Sequence, residues 1–402
     1  MRLLSRPPMH APYSGPDRRK VDRRQPRIVE VRPTWAAIDA AALGHNLRTV
    51  QAHVGSRCRV LAVVKADGYG HGAIDGARAF VEAGAWGLAV SLIEEGVELR
   101  QAGVRAPVLV LGGVHPGSED VVVHGNLTPV VWEPHHLQLL AAAVRRSGAD
   151  QLPVHLKIDT GMSRLGALPE QLPALLDWYE NHAANELRIE GVMTHFACAD
   201  DPDDDHTSLA QLDSFRACLS LLGDRGIHPS IRHVCNSAGL VRFSAAHLDM
   251  VRPGIALYGA ASSDAVALPG LKLGMAVHSR LLGIRELPAG ARISYGHRET
   301  LSRPTRLGIV PVGYGDGYPR NMSGQAAVLI RGHRVPIVGN ITMDLSMVDV
   351  TDLPDAREGE RVTLLGRQGR EIIDVYQLAS WAGVIPYEIV CGISKRVPRH
   401  LS

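Results

Sequence analysis

From residue 59 onward the chain alternates short apolar, β-branched runs with longer stretches whose apolar residues recur every three or four positions. Such alternation predicts parallel strands joined by crossover helices. Eight runs qualify as strands: "RVLAVVK" (59–65), "WGLAV" (86–90), "PVLVLGG" (107–113), "LTPVVW" (127–132), "PVHLKID" (153–159), "LRIEGVMTH" (187–195), "IRHVCN" (231–236) and "LDMVRPG" (248–254). Between them "GAIDGARAFVEAG", "SLIEEGVELRQAG", "PHHLQLLAAAVRRSG" and "SLAQLDSFRACLSLLGDRG" carry the helical period and end near glycine. Eight near-regular units with a closing strand favour a (β/α)8 TIM barrel over an open doubly wound sheet.

After Tyr258 the pattern changes to short alternating runs punctuated by Gly and Pro, such as "RLGIVPVGY" and "AAVLIRGHRVPIVG". These predict a mostly antiparallel β domain. The expected division is therefore a barrel over 33–260 and a β domain over 261–402, with the boundary in "ASSDAVALPG" (261–270). The early run "TWAAIDA" (34–40) is a candidate to join the β domain.

Composition and charge narrow the function. Residues 1–32 hold nine Lys/Arg against three Asp/Glu and read as a disordered basic extension, without the apolar core of a secretory signal. The remainder carries 34 basic and 38 acidic residues, so the folded body offers no basic footprint for nucleic acid. No apolar run approaches the roughly 18 residues of a membrane span. Five scattered cysteines (Cys58, Cys198, Cys218, Cys235, Cys391) without C-x-x-C spacing suit free thiols in a reducing cytoplasm.

A TIM barrel places its active site at the C-terminal strand ends, and reactive side chains collect there in this sequence. Lys65 ends the first strand, Lys157 lies on the fifth with Arg164 beyond it, His195 ends the sixth, Asn236 and Ser237 the seventh, and Arg252 sits on the eighth. The last two loops, "NSAG" and "RPGI", have the small residues that let backbone N–H groups approach a phosphate, and Ser237 adds a hydroxyl. A phosphate facing a lysine amine suggests pyridoxal phosphate, whose aldehyde forms a Schiff base with such an amine.

The segments "AVVKADGYGHG", "HLKIDTGMSRLG", "GVMTHFACAD", "NSAG", "MVRPGIALYG", "ISYGHRET", "VPVGYGDGYPRNMS", "VGNITMDLSMVDV" and "YEIVCGISKRVPR" resemble, in order and spacing, the alanine racemase family of pyridoxal 5'-phosphate enzymes. The resemblance spans about Thr34 to Arg399. Gly68 and Gly315 depart from it, standing where many relatives have alanine. It implies that Lys65 holds the cofactor and acts as one base. Tyr295, contributed by the partner subunit of a homodimer, would be the second. Tyr69, Ser237, Gly254, Ile255 and Tyr387 would hold the phosphate, with His195 and Arg252 nearby and Arg252 on the pyridine nitrogen. Arg164 and Met343 would bind the substrate carboxylate, Lys157 would orient Arg164 in carbamylated form, and Tyr314 would line the entrance.

The implied activity interconverts L-alanine and D-alanine and supplies D-alanine for peptidoglycan. A racemase of wider range acting on serine or basic amino acids is the alternative, and decarboxylation or non-catalytic cofactor carriage fit less well. No metal is expected: "ADDPDDDH" (199–206) lacks a Ca²⁺-loop pattern, and "PHHL" (134–137) lacks zinc-site spacing.

Overall fold

The computed structural model describes residues 32–263 and 266–402. Apart from Arg32, the basic extension expected over 1–32 lies outside them, as do Asp264 and Ala265 of the boundary stretch. Strand β1 (Trp35–Ile38) comes first. It is followed by β2 (Arg59–Val63), β3 (Gly87–Val90), β4 (Val108–Val110), β5 (Thr128–Val131), β6 (Leu152–Lys157), β7 (Leu187–Met193), β8 (Ile231–His233) and β9 (Met250–Val251).

Strands β2 to β9 pair in parallel in the order β8-β7-β6-β5-β4-β3-β2-β9. Backbone bonds from Asp249 N–H to the Arg232 carbonyl (3.1 Å) and from Arg252 N–H to the Cys235 carbonyl (3.0 Å) join the two ends. The eight expected strands are all present, and each is shorter than its apolar run. β8 stops at His233 because Asn236 turns out of the strand to cap the helix Ser237–Arg242, its Oδ1 accepting from Gly239 N–H at 2.9 Å. The strands are buried on both faces, as in β3, where every residue from Gly87 to Val90 is buried.

The helix Ala40–Val54 shows how the outer layer attaches. Asp39 caps it by accepting from Ala42 N–H at 2.8 Å, and Leu43, Leu47 and Val50 then fall on one buried face. Burying each such side chain contributes roughly 1.5–3 kcal/mol.

The second sheet runs in the order Gly283–Leu287, Thr305–Val310, Ser346–Asp349, His333–Val338, Ala327–Ile330, Arg361–Gln368, Met275–Arg280, β1, Arg399–Leu401. Its pairings are antiparallel except that of β1 with Arg399–Leu401, so the first and last described strands lie side by side. Two helices, Val375–Ala382 and Pro386–Gly392, interrupt the β pattern. Asp374 caps the first, accepting from Gln377 N–H at 2.8 Å, and Pro386 opens the second. Among the described residues no helix is long and apolar enough to cross a membrane.

Asn46, fully buried on the helix Ala40–Val54, ties the barrel to the connection leading into this sheet. Its Nδ2 donates to the carbonyls of Leu257 (3.0 Å) and Lys272 (2.7 Å), and its Oδ1 accepts from Lys272 N–H (2.8 Å). Asn46→Ala strands the buried Leu257 carbonyl and the part-buried N–H and carbonyl of Lys272. It is expected to lower stability by about 2–3 kcal/mol, read as an earlier denaturation midpoint, whereas a shift within ~0.5 kcal/mol would contradict that role.

Candidate active site

A cavity of about 410 Å³ opens at the C-terminal ends of the barrel strands. The segment after β2 contributes Lys65 and Tyr69, and the end of β6 with its following loop contributes Lys157, Arg164 and Leu165. His195 comes from beyond β7, Asn236 and Ser237 from beyond β8, and Arg252, Gly254 and Ile255 from beyond β9. Tyr387 reaches the cavity from the helix Pro386–Gly392. Three residues named from the sequence do not line it. Tyr295, Tyr314 and Met343 lie on the second sheet's side of the chain and are 75%, 43% and 53% exposed.

Lys65 stands at the start of an unusual turn. Ala66, Asp67 and Gly68 all have φ between 53° and 59° with ψ between 43° and 53°, and Tyr69 follows at φ 53°. Successive left-handed residues cost about 1–2 kcal/mol each, so the surroundings must impose the conformation. Ala66 N–H donates to Glu95 Oε1 at 2.7 Å, Ala73 N–H to Asp67 Oδ1 at 2.8 Å, and Arg399 Nε–H to the Gly70 carbonyl at 3.0 Å. Glycine is required at position 70, where a Cβ would lie 2.1 Å from the Val390 carbonyl oxygen. The Lys65 amine is held below its ordinary pKa by burial first and then by the Arg164 charge, which favours the neutral, nucleophilic form.

One side of the cavity is a cluster of neutral donors. Ser237 Oγ accepts from Gly254 N–H at 2.9 Å and Ala256 N–H at 3.4 Å. A Cβ on Gly254 would lie 2.2 Å from Tyr69 Oη, so the phenol rests against bare backbone. Burial raises the pKa of Tyr69, and that of Tyr387 to about 12, so both keep their O–H protons.

The other side is cationic. Burial lowers the Lys157 pKa to about 8, helped by Arg252 and Arg164. Asp159 shapes the loop carrying Arg164. Burial pushes its carboxyl up, but the N–H groups of Gly161 (2.9 Å), Ser163 (3.0 Å) and Arg164 (3.0 Å) outweigh this and hold it below the usual range.

At the base, Arg252 is 4% exposed. It donates from Nη2 to the carbonyls of Thr194 (2.8 Å) and Val234 (2.9 Å) and to His195 Nδ1 (3.2 Å), and from Nη1 to His233 Nδ1 (3.0 Å). Burial, followed by the Arg252 charge, holds His195 well below its ordinary pKa. Sequence reasoning missed Glu95, which acts on backbone N–H groups. It also missed His233 and His155, although the two-residue strand period that turns Lys157 inward does the same for His155.

A profile of the alanine racemase N-terminal domain matches residues 38–262, and one of the C-terminal domain matches 274–401. The alanine racemase of Symbiobacterium thermophilum is 46% identical over 371 residues, covering 92% of this chain and 97% of that protein. That of Halothermothrix orenii is 43% identical over 370 residues, covering 92% and 96%. Among solved structures, alanine racemase from D-cycloserine-producing Streptomyces lavendulae superposes with a TM-score of 0.87 at 35% identity, covering 92% of this chain and 97% of that one. The Bartonella henselae alanine racemase, solved with covalently bound pyridoxal phosphate, superposes at 0.81 with 29% identity, covering 92% and 99%. Matched in both halves and in fold, the chain belongs to the alanine racemase family of pyridoxal phosphate-dependent isomerases.

Proposed function

We propose that the protein interconverts L-alanine and D-alanine with pyridoxal 5'-phosphate as cofactor, and that a homodimer completes each site. The observation that carries this reading is the cavity's charge. Lys65, Lys157, Arg164 and Arg252 line it, and among the described residues no Asp or Glu does. Such a lining suits a phosphate and a substrate carboxylate together.

The cofactor suits the residues present. The Ser237 hydroxyl, the protonated phenols of Tyr69 and Tyr387, and the backbone around Gly254 and Ile255 offer donors for a phosphate, and the desolvated Lys65 amine is placed to hold the aldehyde. Bound there, pyridoxal phosphate supplies the electron sink that acidifies the substrate's α-carbon. Arg252 Nε–H has no acceptor among the described residues and remains available for the ring nitrogen, to which a guanidinium donates without giving up its proton.

Arg164 receives the substrate carboxylate, assisted by Met343 of the partner subunit. The Lys65 amine takes or returns the α-proton on one face, and Tyr295 of the partner subunit serves the other. A phenol needs help to act as a base near neutral pH. Arg252 faces His195 Nδ1 with a donor, so the proton of the neutral imidazole sits on Nε2, free to support that phenolate. Tyr295 is presented rigidly. Asn340 Nδ2 donates to its carbonyl at 3.0 Å, and Asn340 N–H donates to Ser294 Oγ at 2.8 Å. Its exposure, with that of Met343 and Leu345, fits a surface covered by a second copy. Tyr314 would then line the entrance, and the D-alanine formed would serve peptidoglycan synthesis.

Chiral chromatography of the protein incubated with pyridoxal phosphate and L-alanine is expected to show approach to an equal mixture of enantiomers, with Lys65→Ala slower by at least ~10³-fold. Comparable conversion of L-serine, L-lysine and L-arginine would move the reading to a broad racemase. Mixing the inactive variants Lys65→Ala and Tyr295→Phe and allowing subunit exchange should restore about a quarter of wild-type activity, because each mixed dimer regains one intact site. No recovery despite confirmed exchange would place both bases on one chain.

The neutral Lys157 amine, the form that reacts with CO₂, grows as pH rises through about 8. Activity of CO₂-stripped protein should therefore recover under a fixed partial pressure of CO₂, faster above that pH than below it, and Lys157→Met should abolish the response.

A further inference from the structure

Behind the cavity a line of buried titratable groups leads away from Arg252 through the barrel wall. His233 Nδ1 lies 3.0 Å from Arg252 Nη1, His233 Nε2 lies 2.8 Å from His155 Nδ1, and His155 Nε2 lies 3.8 Å from Glu190 Oε2. Burial, with the Arg252 charge adding to it, keeps both imidazoles below their ordinary pKa and therefore neutral.

The direction of this line follows from its first member. A guanidinium only donates, and a neutral imidazole carries a single N–H. His233 must therefore present a bare Nδ1 to Arg252 and carry its proton on Nε2. That N–H donates to His155 Nδ1, which leaves the His155 proton on Nε2, facing Glu190. Reversing the line would set His233 Nδ1–H against an arginine N–H.

The barrel wall is shaped around this arrangement. In the pairing of β6 with β7, Val154 faces Ile189 but His155 faces Gly191, so Glu190 is the extra residue of a bulge. Gly191 leaves room for the imidazole, since a Cβ there would lie 2.6 Å from His155 Nδ1 and Cε1. Glu190 is also held by Arg188, whose Nη2 donates at 3.0 Å. The neighbouring His155 foremost, and then Arg188, overcome burial and bring its carboxyl to about 2, so it is a full anion near neutral pH; at 3.8 Å it acts on His155 through its charge rather than through a hydrogen bond.

We propose that Glu190 and His155 are positioning residues for Arg252. The charge of the carboxylate favours the His155 proton on Nε2, and the matching tautomer of His233 keeps the guanidinium at the base of the cavity, where it would meet the ring of a bound cofactor. The effect on catalysis rests on the role of Arg252 in the proposed function, so the test reads the tautomers of the chain itself alongside turnover.

Nitrogen-15 NMR of histidine-labelled protein, with and without pyridoxal phosphate, should show His155 and His233 neutral with the proton on Nε2. In Glu190→Ala the line is anchored at its Arg252 end alone, so His155 and His233 should shift together toward the reversed, Nδ1–H forms. In the loaded enzyme kcat should fall about tenfold, the scale at which outer partners of ligating groups act, with KM for alanine nearly unchanged and the cofactor absorption band altered. Glu190→Gln, which keeps the shape but not the charge, should shift the tautomers in the same direction. Gly191→Ala should displace the His155 ring and reproduce the loss without removing a polar atom.

Unchanged tautomers in folded Glu190→Ala and Gly191→Ala, or an Nδ1–H His155 in the wild type, would overturn the proposal. A wild type without racemase activity but with these tautomers and their response to Glu190→Ala would instead count against the functional reading and support the relay's geometry.

Discussion

A buried guanidinium without a carboxylate partner sets the terms for the rest of the site. Removing the charge of Arg252 from water costs several kcal/mol unless its N–H groups are matched by acceptors. The chain provides two carbonyls and two imidazole nitrogens, drawn from Thr194, Val234, His195 and His233. These lie at the ends of β7 and β8, while Arg252 follows β9, so the acceptors converge only where the barrel closes. The backbone bond from Arg252 N–H to the Cys235 carbonyl is one of the closing bonds. Barrel closure and the burial of this cation are thus one structural event. A carboxylate in place of these acceptors would pair the charge directly but would put an anion among the cavity's charged groups, which are all cationic.

The second sheet is bound into the site by a different constraint. A run of left-handed residues after Lys65 does not persist on local preference, since Ala66 and Asp67 have no special freedom to adopt positive φ. The turn is held from three directions: Glu95 beyond β3, Asp67 within the turn, and Arg399 in the last described strand. Arg399 also donates to the carbonyls of Ile393, Ser394 and Val397, each at 2.6 Å, and so fastens the end of the chain before reaching Gly70. The helix bearing Tyr387 presses on the same turn through Val390. Lys65 is consequently placed by residues more than 300 positions away.

This division between local and distant causes explains what could be read from the sequence. The eight barrel strands were legible because strands buried on both faces need continuous apolar runs, and few other structures do. Their ends were less legible: Asn236 leaves β8 to cap a helix, and Lys65 leaves β2 into the left-handed turn. The helices Val375–Ala382 and Pro386–Gly392 are short and lie within a stretch of strand-like texture, so nothing but their caps announces them. Reactive side chains at strand ends stood out by chemistry and position together. Glu95 did not, because it works on backbone N–H groups, nor did His155 and His233, because a tautomer is a property of neighbours that only the fold assembles. Tyr295, Tyr314 and Met343 do not line the cavity of a single chain, and the part proposed for them would need a second copy.

The cavity's electrostatics finally bear on how stability and binding are connected. Lys65, Lys157 and His195 all have lowered pKa values, each with burial as the leading cause and neighbouring cations adding to it. Every protonated group there raises the cost of the next, so the cavity by itself favours neutral amines. An anion entering it reverses this preference, since each negative charge stabilises the protonated forms it meets. Binding of a phosphate is then coupled to proton uptake and adds stability to the folded chain through mass action.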